Sequence, residues 1–88
     1  MRITVVAECS QEVHLKLEGR VDSSTVALLE REGARRLQQG RDLRLNLDGV
    51  RFIDEVGLGL FGRWAGEGIA FEGGSTFVRT LLATHGLL

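Results

Sequence analysis

Proline is absent from this 88-residue chain, and cysteine occurs once, as Cys9. A lone cysteine excludes an internal disulfide frame and a thiolate metal cluster, and it fits a reducing compartment. Lysine is nearly missing as well: Lys16 stands alone, and arginine carries the rest of the positive charge. That skew reads as genome composition rather than function. The formal net charge is −1, so no basic field points to nucleic acid and no polybasic run points to a membrane surface. No apolar run approaches the roughly 20 residues that a membrane span needs. The opening MRITVVAECS carries one arginine and an apolar stretch too short for a signal peptide, so it reads as a strand. Linkers, repeats and low-complexity tracts are lacking too. A single domain over residues 1–88, placed in the cytoplasm, is expected.

What is present suffices for one modest core: 43% of the residues are apolar, so neither disulfide nor metal is required to hold it. In RITVVA, Ile3, Val5 and Ala7 alternate with Arg2 and Thr4. In EVHLKLEG, Val13, Leu15 and Leu17 alternate with Glu12, His14, Lys16 and Glu18. Period two with one polar face predicts half-buried strands, joined by a hairpin turn at ECSQ. The period then lengthens. Val26, Leu29, Gly33 and Leu37 share one face of a predicted helix, with Asp22 or Ser23 as N-cap and Gly40 as its stop. DLRLNLDGV returns to period two, with Leu43, Leu45 and Leu47 facing in.

A strand, a helix and a strand in succession imply a parallel pair with the helix on one face. Because every long strand keeps a polar face, helices are expected mainly on one side, which argues against a doubly wound sheet. After RFI a short helix runs from Asp54 to about Gly66, GIAFEG gives a last strand, and STFVRTLLATHG gives a last helix. That helix has Ser75 as N-cap, Gly86 as C-cap, and Val78, Leu81, Leu82 and His85 in register. The predicted fold is an α/β domain with a small, mixed, mostly parallel sheet, in the order β-β-α-β-α-β-α.

The junction FIDEVGLGL is the part of the chain with chemistry to explain. Asp54 falls at a strand's C-terminal end and a helix N-cap, where a carboxylate accepts from the free N–H groups of the first turn. Glu55 falls at the next position with its side chain outward. The plain account is a cap followed by a solvated acid. The functional account is a charged loop displayed on the C-terminal rim of the sheet. The helix behind it holds Gly57, Gly59, Gly62 and Gly66, each costing up to about 1 kcal/mol relative to alanine, so packing must hold it. Val56, Leu60 and Trp64 form one stripe, and Gly57, Phe61 and Ala65 its neighbour. Trp64 serves either as core filler or as an interface anchor.

Enzymatic readings find little support. His14 and His85 have no metal-ligand spacing with another His, Cys or acid, and Cys9 has no evident base. GLGLFG lacks the lysine and the glycine order of a phosphate loop, and the acids of its first turn would repel phosphate. No cofactor or metal is expected, and no catalytic residue is assigned.

LEGRVDSST, LRLNLDGVRFIDEVGLGL and TLLATHGL together resemble the STAS domain family, which includes the bacterial anti-sigma factor antagonists. The resemblance runs from about Val13 to Leu87. It implies a small sheet with helices packed mainly on one side. In the antagonists, the serine directly after the loop aspartate is phosphorylated by a kinase that is also the anti-sigma factor, and the phosphorylated form cannot bind that kinase. Here Asp54 matches the loop aspartate, while Gly57 and Leu58 match the residues after two serines. Both serines are missing: Glu55 stands at the acceptor position and Val56 at the next. Asp22 matches the family's acidic residue at the end of the second strand, and Asn46 matches the Asn or Asp of the third.

The resemblance therefore implies a non-enzymatic interaction module that binds its partner through Asp22, Asp54, Glu55, Val56, Gly57 and Leu58, extended by Trp64. Glu55 makes it non-phosphorylatable there and a phosphomimetic. The partner implied is an anti-sigma factor or switch-kinase-type protein. The alternatives are an accessory subunit docked on the ATPase of an ABC-type lipid transporter, and a small-ligand or nucleotide sensor. Nucleic acid and direct membrane insertion are not expected, and oligomer formation stays open.

Overall fold

A computed structural model describes residues 1–88. Four strands, β1 (Arg2–Glu8), β2 (Glu12–Val21), β3 (Asp42–Ile53) and β4 (Ala70–Glu72), lie side by side in chain order in one sheet. β1 runs antiparallel to β2, whereas β2–β3 and β3–β4 are parallel. Three helices, α1 (Val26–Gln38), α2 (Glu55–Gly66) and α3 (Thr76–Thr84), complete the predicted order.

The alternating strands place Val13, Leu15, Leu17, Leu43, Leu45 and Leu47 beneath the helices, where they form one core with Leu29, Phe61, Val78 and Leu82. The other face of the sheet stays polar. There Glu12 is bridged by His14 and Arg44, at 3.3 and 2.8 Å.

Three local features depart from the sequence reading. β1 is irregular between Val5 and Ala7, so Ala7 stands opposite His14 rather than continuing the face of Ile3 and Val5. An extra residue in a strand flips everything beyond it, and alternation alone carries no mark of where it is inserted. β3 continues unbroken through RFI. It fits its 12 residues against the 10 of β2 by two further register shifts. α1 begins later than expected: its N-cap is Thr25, while Asp22 and Ser23 belong to the turn before it. The carboxylate of Asp22 accepts from the Ser24 N–H and hydroxyl, within its own turn, so it is spent before the helix begins.

α3 follows expectation. The Ser75 hydroxyl accepts from the Val78 N–H, and Gly86, at φ 73°, lets the Leu87 N–H reach back to the Leu82 carbonyl. Leu87 thereby folds back against the core. His85 becomes the C-cap and is exposed, not part of the buried stripe.

Candidate functional site

The rim at the C-terminal ends of β2 and β3 is assembled by Asp54. As predicted it is the N-cap of α2, with one carboxylate oxygen accepting the Gly57 N–H at 2.8 Å. The other oxygen accepts the N–H of Ser23 at 3.0 Å, across 31 residues of chain. The Asp54 N–H in turn donates to the Val21 carbonyl at 3.1 Å. Asp54 therefore ties the start of α2 to the end of β2 and to the turn that follows it. Only its cap half was legible beforehand. The bond to Ser23 carries no local sequence signal.

Gly57 makes that approach tight. A Cβ on it would fall 2.5 Å from the Val21 carbonyl oxygen, a backbone atom that cannot rotate aside. Gly57 is buried and offers a partner no side chain. Its place in the rim is structural: it lets α2 start against β2.

Asp22 lies on the same rim, one residue before Ser23. Its carboxylate accepts from the Ser24 hydroxyl at 2.7 Å and from Arg20 Nε at 3.1 Å. The Ser24 hydroxyl first and the Arg20 guanidinium second pull its pKa down to about 2. The Thr25 hydroxyl donates to the Arg20 carbonyl and accepts from the Asp22 N–H. The hydroxyls of Ser24 and Thr25 are thus occupied within the turn.

Glu55 and Val56 differ from their neighbours. Glu55 is exposed at the first helical position of α2 and forms no ion pair or side-chain hydrogen bond. Val56 is 49% exposed. Leu58 is half-buried against the core. With Gly59, Gly62, His85 and Leu87, Glu55 and Leu58 line an open cleft of about 370 Å³ between α2 and the end of α3. His85 and Leu87 were not assigned to the rim from sequence. The signal for Leu87 was an apolar residue directly after a glycine C-cap.

Trp64 does not extend the rim. It is 3% exposed and belongs to the core, with its six-membered ring against Gly33 of α1. The stripe that leads from Val56 through Leu60 to Trp64 turns inward as it leaves the rim. The structure thus gathers Asp22, Asp54, Glu55, Val56 and Leu58 at one end of the sheet, and it separates Trp64 from them.

The profile of a family described as "Mlab, STAS domain" matches residues 4–87. No curated protein matches this chain by sequence. Among solved structures, the chain is similar to the one titled "Structure of the Anti-Sigma Factor Antagonist SpoIIAA in its Unphosphorylated Form". The TM-score is 0.69 at 18% sequence identity, covering 93% of this chain and 82% of that one. At that identity the likeness concerns the fold, and it agrees with the mixed four-stranded sheet and three helices described above. With the profile spanning nearly its whole length, this chain belongs to the STAS domain family.

Proposed function

We propose that this chain is a non-enzymatic protein–protein interaction module. In this reading it is an anti-sigma factor antagonist-like regulator whose usual phosphorylated position is closed to phosphate transfer. The observation that carries the reading is Glu55: exposed, unpaired, and at the N-terminal turn of α2 beside the capping Asp54. By the family resemblance this is the phosphoacceptor position, and a carboxylate has no hydroxyl to accept a phosphoryl group. Its single negative charge is a partial and permanent stand-in for the roughly −1.5 to −2 of a phosphoserine at pH 7. The contact surface is Glu55, Val56 and Leu58, with Asp54 and Asp22 shaping the loops beneath. The partner class is an anti-sigma factor or switch kinase.

A second reading has one observation in its favour. The accessory STAS subunits of ABC-type lipid transporters also lack the serine, and the glycines of α2 leave that helix low enough for a partner ATPase to approach. Gly59 and Gly66 have no atom within 4 Å of where a Cβ would stand. The small-ligand reading has less support, because the rim presents carboxylates where phosphates would have to sit.

Affinity co-purification of the tagged chain from its own host, with partners identified by mass spectrometry, tests the proposal. Recovery of an ATP-binding anti-sigma kinase supports it. Glu55→Ser should then bind that kinase at least several-fold more tightly and take up phosphate at position 55. Recovery of a transporter ATPase overturns it in favour of the second reading. With the kinase in hand, unchanged binding and no phosphate uptake by Glu55→Ser would leave Glu55 a solvated acid and end the mimic idea.

A further inference from the structure

Arg20 stands at the end of β2, two residues before Asp22. Its Cα lies opposite that of Phe52 in β3, while the next pair, Val21 and Ile53, is buried in the core. Alternation therefore puts Arg20 and Phe52 on the face of the sheet away from the helices. There the Arg20 Cζ lies 4.3 Å from the centroid of the half-buried Phe52 ring. A guanidinium over an aromatic face is held by cation–π attraction and by stacking. The Nε–H donates to the Asp22 carboxylate at 3.1 Å, which fixes the rotation of the group in its own plane. Two contacts of different kinds thus hold one long side chain in place. Arg51, exposed one residue before Phe52, has neither. The terminal nitrogens of Arg20, Nη1 and Nη2, have no acceptor, and the side chain is 61% exposed. The guanidinium is fixed at one end and open at the other.

Such a fork accepts an oxyanion through two parallel N–H donors. Its neighbours decide which oxyanion. Asp22, Asp54 and Glu55 already place three carboxylates on the same rim. A phosphomonoester, at roughly −1.5 to −2, would have to enter against all three. A side-chain carboxylate brings a single charge, and the protein that carries it can also bring a base for Glu55. Arg20 and Glu55 are the two charges of this rim with unengaged ends, and they are opposite in sign. The bond from the Ser23 N–H to Asp54 ties the turn after Arg20 to the helix start that carries Glu55, so the fold sets their spacing. We infer that Arg20 is a partner-binding residue that receives an Asp or Glu side chain of the partner, and that the contact surface runs from Glu55 across the end of the sheet to Arg20. The inference rests on reading the rim as a protein-binding surface. It adds a direction to that surface: the partner must present a base and an acid in one order. Charges arranged in this way exclude wrong partners and fix the docked orientation.

The free chain provides the first test. Acetate is titrated into the intact protein, and the arginine side-chain N–H signals are followed by nuclear magnetic resonance. Arg20 should shift with saturation, while Arg51 shifts weakly and in proportion to the salt added. An Arg20 that responds no more than Arg51 overturns the inference. Inorganic phosphate, titrated in parallel, should act on Arg20 more weakly than acetate; a stronger response to phosphate would overturn the assignment to a partner's carboxylate. The second test is calorimetric binding to the purified protein that the co-purification identifies. Arg20→Gln should weaken binding at least about tenfold, as expected for a lost charge-assisted pair. Arg20→Lys, which keeps the charge and loses the fork, should still weaken it several-fold. Arg20→Glu should be rescued by an acid-to-arginine substitution in the partner, which a merely structural role for Arg20 would not allow. Native affinity in Arg20→Gln would refute the role of Arg20 and leave the antagonist reading standing. The variants are run on whichever protein is recovered, so finding an ATPase in place of a kinase overturns the antagonist reading while Arg20 is judged by the same affinities.

Discussion

Replacing Gly33 by alanine tests the packing that sets α2, and with it the rim, against α1. A Cβ at residue 33 would lie 2.5 and 2.7 Å from Cη2 and Cζ2 of Trp64, and 3.3 Å from Cδ2 of Leu43. Carbon atoms settle at about 3.5–4.0 Å, so the indole must withdraw by roughly 1 Å. Alanine in a helix interior is worth about 1 kcal/mol over glycine. Overpacking a filled core costs about 1–3 kcal/mol. The net expectation is a destabilisation of about 1 kcal/mol, with the ring forced outward. Urea denaturation followed by far-ultraviolet circular dichroism gives the free energy. The emission of Trp64, the only tryptophan in the chain, gives the displacement as a red shift. The decisive arm is the same substitution in a Trp64→Phe background. Phenylalanine removes both offending atoms, so Gly33→Ala should there stabilise by up to about 1 kcal/mol. A change of sign between the two backgrounds is the prediction. Stabilisation in both would mean that the indole does not lie over Gly33, and the account of how α2 is seated would fail.

Two further predictions concern the loops beneath the rim. Asp54→Ala should cost about 1–2 kcal/mol in urea denaturation, the upper part of the range for losing an N-cap, because the Ser23 N–H is released as well. Asp54→Asn, which keeps one acceptor oxygen for the Gly57 N–H, should cost clearly less; equal losses would mean that the two carboxylate oxygens do not act separately. The pKa of Asp22 is lowered from 3.8 to about 2 by the Ser24 hydroxyl and then by Arg20. A carboxylate depressed by folding contributes stability above its unfolded pKa and loses that contribution as the pH falls through the folded one. Stability should therefore decline between about pH 4 and pH 2. Asp22→Asn should flatten that part of the pH–stability curve, and an unchanged acid limb would show that the turn's hydrogen bonds do not favour the ionised form.

The elements were legible where one face of each had to be buried. Leu43, Leu45 and Leu47 could only alternate on a strand, and the polar residues between them already limited the helices to one side. What escaped the sequence was set by neighbours distant in the chain. The insertion at Val6 depends on how β1 lies against β2. The start of α1 moved to Thr25 because Asp22, a good cap by type, was taken by Ser24. Trp64 was ambiguous between core and interface because either stripe of α2 could have turned inward. Gly33, on another helix, decided it by leaving room for the indole.

The same distinction separates the two acids that make FIDEVGLGL conspicuous. Asp54 and Glu55 are adjacent, yet they act in opposite directions. Every polar group of Asp54 that faces the rim is engaged by Val21, Ser23 or Gly57, so changing it alters the loops before it alters a contact surface. Glu55 has no intramolecular partner and is backed by exposed Val56 and half-buried Leu58. A substitution at residue 55 can thus change the charge seen by another protein while leaving the fold in place. Under the proposed reading, this is where the chain differs from a phosphorylatable antagonist. The fold holds this rim together through Asp54 and Gly57, and the exposed residue beside them, Glu55, carries a fixed charge. Binding measurements on Glu55 variants therefore report on recognition, and stability measurements on Asp54 variants report on the scaffold beneath it.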